Sequence, residues 1–452
     1  MDKPNVTKFS DDLKFNRLHL TIVVLGALTL IFDSYDAQIL TFVIPHIIRE
    51  WHLSPVAAGS VISYGMAGLM VGSALLGMLG DRVGRKIPLI LGLIMFSLFS
   101  GWLFWVHDFK TFCLLRLFAG IGMGGALTIS IALASEFAPA RIRGRMVAAM
   151  ATGFMLGAII AGVISIEFIP SHGWRIVLLF GIIPLIFAPI LYWLLPESFR
   201  FLIQKNRYEK AIAVLRRMER AAGVAPMNWT KESLVLPVQT SKVRVKQLFS
   251  SKLAAMTILL WLSYFFCFFA NYSVNSWLPT LLYNAGYPLV RSYAYLVVST
   301  VGAVIGSLFL GVMLDRFGRK WALGSSFIIA AAFVFLIGHA VGYAWLLYAF
   351  CFALGIFFGG GQTNLHTVTG EVYPTFMRST GVGSALTLGR FGAICGPVAG
   401  GFIQSMGFSF SQYFALVAVP PFICAILVFL YRVNVKGEGL EAVEEQLTGA
   451  HA

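Results

Sequence analysis

Two carboxylates, Asp33 and Asp36, sit inside an apolar run of this 452-residue chain that opens near residue 18. Three residues apart, they share one face of a helix. At about 1.5 Å per residue they lie roughly 22–27 Å along that run. An unpaired carboxylate so deep in hydrocarbon costs roughly 3 kcal/mol or more. Each must therefore be protonated, paired or exposed to a water-filled path, and all three suit a group that takes up and releases a proton. Asp36 is the favoured proton carrier, Asp33 its like-charged neighbour. A static ion pair is the plainer alternative. Two cations, Arg116 and Arg390, also lie within apolar runs. Arginine keeps its charge and needs an anion. Arg390, near the middle of its run, could clamp a substrate carboxylate through two hydrogen bonds, or pair permanently with Asp33 or Asp36. Arg116 could neutralise one of those aspartates or snorkel outward.

A second group is uncharged. Tyr264, Phe268, Asn271 and Asn275 recur along one helical stripe. Aromatic walls with a few hydrogen-bond donors suit a flat ring, although most such aromatics merely face lipid or core. Tyr35 and Gln38 are further substrate-binding candidates, with Gln362, Asn364 and His366 weaker ones. A third group clusters at run ends. Glu136 and Glu371, with Asp81, Arg82, Arg85 and Arg143 and their counterparts Asp315, Arg316, Arg319 and Arg378, could form a charge lock that breaks when a carrier changes state. Glu136 is also a candidate for the proton path.

The elements that must position these residues follow from composition. Of the residues, 58% are hydrophobic and 12% charged, about half the charged share of a soluble domain. A disordered chain, a soluble enzyme and a disulfide-stapled module are excluded. About twelve apolar runs are long enough to span a bilayer as helices, and too long and unalternating for barrel strands. The expected organisation is a polar segment at 1–17, a six-helix bundle at 18–195, a loop at 196–253 with an amphipathic helix lying on the membrane interface, a second six-helix bundle at 254–432, and a tail at 433–452. Gly223 to Pro237 reads as a loose linker, and no cleavable signal peptide is visible.

The net charge of +14 lies in loops, with no basic stripe for nucleic acid. Nearly all Lys and Arg fall on the side holding both ends. The other side holds Arg49, Lys110, Arg175 and Arg291, so both termini are expected in the cytoplasm. The five cysteines sit in apolar runs and read as packing residues. No metal cluster, nucleotide loop or nucleophile–base set is present, so no cofactor is expected and the chain does not read as an enzyme.

Gly77-x-x-x-Asp81-Arg82-x-Gly84-Arg85-Lys86 recurs as Gly311-x-x-x-Asp315-Arg316-x-Gly318-Arg319-Lys320, and Glu136…Arg143 recurs as Glu371…Arg378. The two recurrences share one spacing to within a residue, which implies two homologous halves and a substrate path between them. The loop motif, with Arg116-Leu-Phe-Ala-Gly120-Ile-Gly122-Met-Gly124-Gly125, resembles the major facilitator superfamily along essentially the whole chain. Asp33-Ser34-Tyr35-Asp36, Ser276-Trp277-Leu278-Pro279-Thr280 and Tyr373-Pro374-Thr375…Arg378-Ser379-Thr380-Gly381 resemble the aromatic-acid:proton symporters, with Ser34 where that family usually has Gly. Gly173-Trp174-Arg175 and Pro196-Glu197-Ser198-Phe199-Arg200 are similar to sugar porters. The resemblance implies an all-α fold of twelve transmembrane helices in two pseudo-symmetric bundles. It also implies a proton-coupled importer of a small aromatic carboxylate in a bacterial inner membrane, acting as a monomer whose partners are an organic anion, protons and lipid. A sugar or polyol symporter, an exporter of amphipathic compounds and a non-transporting sensor are the alternatives.

Overall fold

The protein is described by a computed structural model over residues 5–234, 245–250, 253–373 and 377–431. The tail expected at 433–452, the end of the linker before Pro237, and the Pro374-Thr375 step of the motif lie outside the described residues.

The described residues form helices and connecting turns. A short helix, α1 (Val6–Asp12), precedes α2 (Arg17–Glu50), α3 (Pro55–Val83), α4 (Lys86–Trp102), α5 (Phe109–Phe137) and α6 (Arg143–His172). The sixth span is broken into α7 (Arg175–Leu179) and α8 (Ile183–Leu194), and α9 (Phe199–Gln204) and α10 (Tyr208–Ala222) follow in the loop. The second half holds α11 (Ala254–Asn284), α12 (Leu289–Phe317), α13 (Arg319–Ile337), α14 (Ala344–Leu354), α15 (Gly360–Val372), α16 (Arg378–Ser405), α17 (Phe410–Val417) and α18 (Val419–Phe429). Together they make twelve spans long and apolar enough to cross a membrane, the sixth, tenth and twelfth each built from two of these helices. Large side chains such as Trp193, Ile186 and Leu308 are 73–76% exposed on their outer faces. Lipid resolves what water would not tolerate, since every backbone group in such helices is satisfied internally.

Local chemistry sets the helix ends. Asp108 caps α5 by accepting a 2.8 Å hydrogen bond from the Thr111 N–H, and that bond holds its carboxyl below the usual carboxylate range. Between α3 and α4, Gly84 takes φ +112°, and Gly318 takes φ +85° at the matching turn of the second half. Only glycine adopts such angles without strain, so the repeated glycine of the loop motif is a backbone requirement. The tenth span contains one π-helical turn, Gly355–Gly359, between α14 and α15. Such turns displace the register of the residues that follow.

The chain forms two compact units. One comprises the described parts of Met1–Ile39, Gly68–Ala161 and Ser171–Gln239. Within it α3 and α5 touch backbone to backbone, because any side chain at Gly72 would collide with the Ile121 carbonyl. The apolar stripe of α10, Ala211, Leu215 and Met218, is fully buried in one cluster with Phe9, Leu202 and Trp229. This corrects the expectation of a helix lying on the membrane interface: its apolar face is covered by protein. The linker after it is also more structured than its composition suggests. Buried Glu219 accepts hydrogen bonds from the Trp229 indole at 2.7 Å and the Met227 N–H at 3.0 Å.

The other unit comprises Leu40–Ala67, Gly162–Pro170 and the described residues after Thr240. Here α11 lies along α16, with Trp277 Nε1 donating to the Pro397 carbonyl at 2.8 Å and Ser273 Oγ to Gly396 at 3.0 Å. The later part of α2 joins the same unit, where the Tyr293 hydroxyl donates to the Phe42 carbonyl at 2.9 Å. Ser63 of α3 donates to the Ile394 carbonyl at 2.6 Å.

Candidate functional site

In the first unit, α2 and α5 bring Asp36 and Arg116 together. Arg116 Nη1 lies 2.9 Å from Asp36 Oδ2, and both side chains are 2% exposed. Arg116 Nη2 also donates to the Asp36 carbonyl at 3.4 Å, and Nη1 reaches Ser100 Oγ of α4 at 3.5 Å. Of the two positions expected for Arg116, the side chain takes the one against Asp36. Asp33 is buried at 1% exposure one turn earlier. Tyr35 is pinned from the side, its hydroxyl donating to the Val177 carbonyl at 2.7 Å. Gln38 is half-buried on the same helix.

The loop carboxylates assemble within each unit, in parallel. In the first, Arg85 Nη1 lies 2.9 Å from Asp81 and its Nε 3.6 Å from Glu136. In the second, Arg319 meets both oxygens of Glu371 at 2.9 Å and Asp315 at 2.8 Å. Among the described residues, Arg82 and Arg316 are exposed and join neither set. Arg143 is drawn elsewhere, to Asp11 of α1 at 2.6 Å. The four were expected together, but the 3₁₀ turn Ala140–Ile142 aims Arg143 at the N-terminal helix. Arg378 is half-buried at the start of α16.

Two partners were missed. Ser198 Oγ donates a hydrogen bond to Glu136 Oε2. Glu197 accepts from the N–H groups of Arg85, at 2.7 Å, and of Lys86, so it caps the first turn of α4. The signal was present in Pro196-Glu197-Ser198, read only as a family mark.

The uncharged group gathers in the second unit. Asn275 Nδ2 donates to Asn271 Oδ1 at 2.7 Å, and Asn271 Nδ2 donates to Gln362 Oε1 of α15 at 2.6 Å. Tyr264 OH and His366 Nδ1 are 2.8 Å apart, with the Tyr264 ring fully buried. Phe268 stacks between Tyr264, at 6.0 Å between centroids, and Tyr272, at 6.5 Å. Gly389 of α16 lets the Phe268 ring approach, since a Cβ there would lie 3.1 Å from it. The next residue is Arg390, half-buried. The π turn sits immediately before the α15 segment that supplies Gln362 and His366. The result is an amide chain and an aromatic stack on adjoining helices, fit for hydrogen bonding and ring contact. Asn364 is turned away, donating to the Ser307 and Gly360 carbonyls.

Residues 26–304 and 292–450 match the Major Facilitator Superfamily. The chain is 34% identical over 408 residues to the gallate transporter of Pseudomonas putida, covering 90% of each. It is 31% identical to the 4-hydroxybenzoate transporter PcaK of Acinetobacter baylyi, covering 93% of this chain and 92% of that one. The niacin transporter NiaP of the same species is 29% identical, with 96% and 98% covered. Among solved structures, the inward-open xylose transporter XylE from E. coli superposes with a TM-score of 0.72 at 18% identity, over 95% of this chain and 99% of that one. At that identity the likeness is one of fold. Because the sequence match runs through both halves of the chain and the similar proteins are transporters end to end, this protein belongs to the Major Facilitator Superfamily, a multi-pass membrane transporter and not an enzyme.

Proposed function

We propose that the protein imports a small aromatic carboxylate together with a proton, by alternating access. The observation that carries the reading is the division of labour between the two units. One buries a carboxylate–guanidinium pair, Asp36 with Arg116. The other offers a neutral bed of amides and rings, Asn271, Gln362, Tyr264 and Phe268, with Arg390 beside it. Gallate, 4-hydroxybenzoate and niacin, named for the similar transporters, each carry a carboxylate on an aromatic ring. In this reading Asp36 carries the proton, with Asp33 and Glu136 along its route. Arg390 takes the substrate carboxylate, while Asn271, Asn275, Tyr264, Tyr35 and Gln38 contact the ring and its substituents. Both termini lie in the cytoplasm of a bacterial cell, on the distribution of Lys and Arg, and one chain is the working unit.

The test is uptake and binding in liposomes with benzoate-type acids and their amides. Arg390→Lys is expected to retain weak binding of the acid and Arg390→Ala to lose it, while the amide binds wild type and Arg390→Ala equally poorly. Arg390→Ala preferring the acid over the amide as strongly as wild type does would remove Arg390 from the role.

The loop carboxylates are proposed as state locks, and their geometry ranks them. Asp81 and Asp315 are 68% and 72% exposed, so each pair is worth well under about 1 kcal/mol. Glu371, at 22% exposure, holds Arg319 through both oxygens, the stronger geometry. Glu371→Gln is therefore expected to slow turnover roughly tenfold with substrate affinity within about twofold, and Asp315→Asn to change turnover by less than about twofold. Rapid-mixing transport and equilibrium binding on the same preparations check this. A large affinity loss in Glu371→Gln at unchanged turnover would place the residue in the binding site.

A further inference from the structure

The second copy of the loop motif differs from the first in the side chains around its mouth. A groove of about 340 Å³ opens between α12 and α13, lined by Phe309, Met313 and Phe317 on one side, Trp321 and Ser325 on the other, and Phe357 of the π turn at its far end. Phe317 and Trp321 are 62% and 58% exposed at the loop end. From Trp321 to Ile329 the groove follows α13 for about 12 Å, at 1.5 Å per residue. Its walls are apolar, and Ser325 turns its hydroxyl back to the Ala322 carbonyl.

The charges at its mouth are unequal. Arg319 has every guanidinium nitrogen committed, to Glu371, Asp315 and the Leu314 carbonyl. Arg316 and Lys320, each next to a groove aromatic, are engaged by no carboxylate among the described residues. In the first half, the aligned positions of the motif carry Val83 and Ile87 in place of Phe317 and Trp321. There Lys86 lies over the Tyr192 ring at 4.6 Å. The aromatic wall with two cations at its mouth is thus a property of the second copy only.

We propose that this groove binds one anionic glycerophospholipid, with an acyl chain along α12 and α13 and the phosphate met by Arg316 and Lys320. Basic side chains at a bilayer surface each favour anionic headgroups, and exposed Trp321, at the loop end of α13 beside them, is of the residue type enriched at such interfaces. A second helix is a poor occupant because the mouth carries charge where a packed helix would need apolar or small residues.

The full-length protein is purified and exposed to vesicles of phosphatidylglycerol or phosphatidylcholine with identical chains. Retained lipid is then counted by native mass spectrometry. Phosphatidylglycerol should be retained about tenfold better, as one molecule per chain. Arg316→Gln with Lys320→Gln, the first exposed and the second half-buried, should bring it down to the phosphatidylcholine level. Ser325→Trp, which fills the groove, should lower both. In parallel, phosphatidylglycerol with brominated chains should quench tryptophan emission more in wild type than in Trp321→Phe. Phosphatidylglycerol retention unchanged by the charge substitutions, or equal quenching in wild type and Trp321→Phe, would overturn the site.

Discussion

Asp36→Asn is expected to abolish accumulation driven by a pH gradient while leaving substrate-for-substrate exchange measurable. Asparagine keeps the shape of the protonated acid and can still accept a hydrogen bond from Arg116, whose Nη1 lies 2.9 Å from the present carboxylate. It cannot exchange a proton. Net symport needs the empty carrier to return with its proton site unloaded, a state the amide cannot reach. Exchange needs only the loaded carrier to move in both directions. Substrate binding to the variant should also lose most of its dependence on pH, because the linked ionisation has been removed. The measurement is paired: uptake into liposomes under an imposed pH gradient, and counterflow at equal pH. Accumulation by Asp36→Asn with the pH gradient as sole driving force would move the proton to another carboxylate, with Asp33 next to be tested.

Arg116→Leu is expected to have the largest effect on stability. The arginine is 1% exposed, and its partner Asp36 is 2% exposed. Removing one member of a buried pair leaves an uncompensated charge and costs about 3–5 kcal/mol. Replacing both members with apolar residues is often nearly neutral. Arg116→Leu alone should therefore lower the thermal midpoint in detergent sharply or prevent purification, whereas Arg116→Leu with Asp36→Leu should recover most of the loss and yet transport nothing. A double variant as unstable as the single one would mean that Arg116 acts through Ser100 and helix packing, and not through Asp36.

The apolar runs and the duplicated motif made the twelve spans and their family legible, because lipid solvation and backbone saturation act on contiguous sequence. Asp36 and Arg116 were equally visible, since charge inside an apolar run has few explanations. Their pairing was not determined: Arg390 was an equal claimant, and only the packing of α5 on α2 chooses. Arg143 shows the limit most clearly. Its position in a repeated motif suggested a carboxylate of its own bundle's loops, but its partner Asp11 is 132 residues away. That choice depends on a 3₁₀ turn that hydropathy does not register. The covered face of α10 was misjudged for a similar reason: an amphipathic stripe does not say whether lipid or protein will lie against it. The π turn in the tenth span has no compositional signature beyond its glycines.

In the proposed cycle, the buried Asp36–Arg116 pair would also determine how voltage acts on the protein. As it stands, the pair carries no net charge. A proton on Asp36 turns it into a net cation, and a monoanionic carboxylate taken up in the same cycle restores neutrality. A cycle of this kind, with one proton per carboxylate, moves no charge on either the loaded or the empty leg. Each uncompensated charge would otherwise couple to the membrane potential by about 2.3 kcal/mol per 100 mV. The carrier would draw on the difference in pH alone, and its substrate gradient would be indifferent to how strongly the cell is polarised.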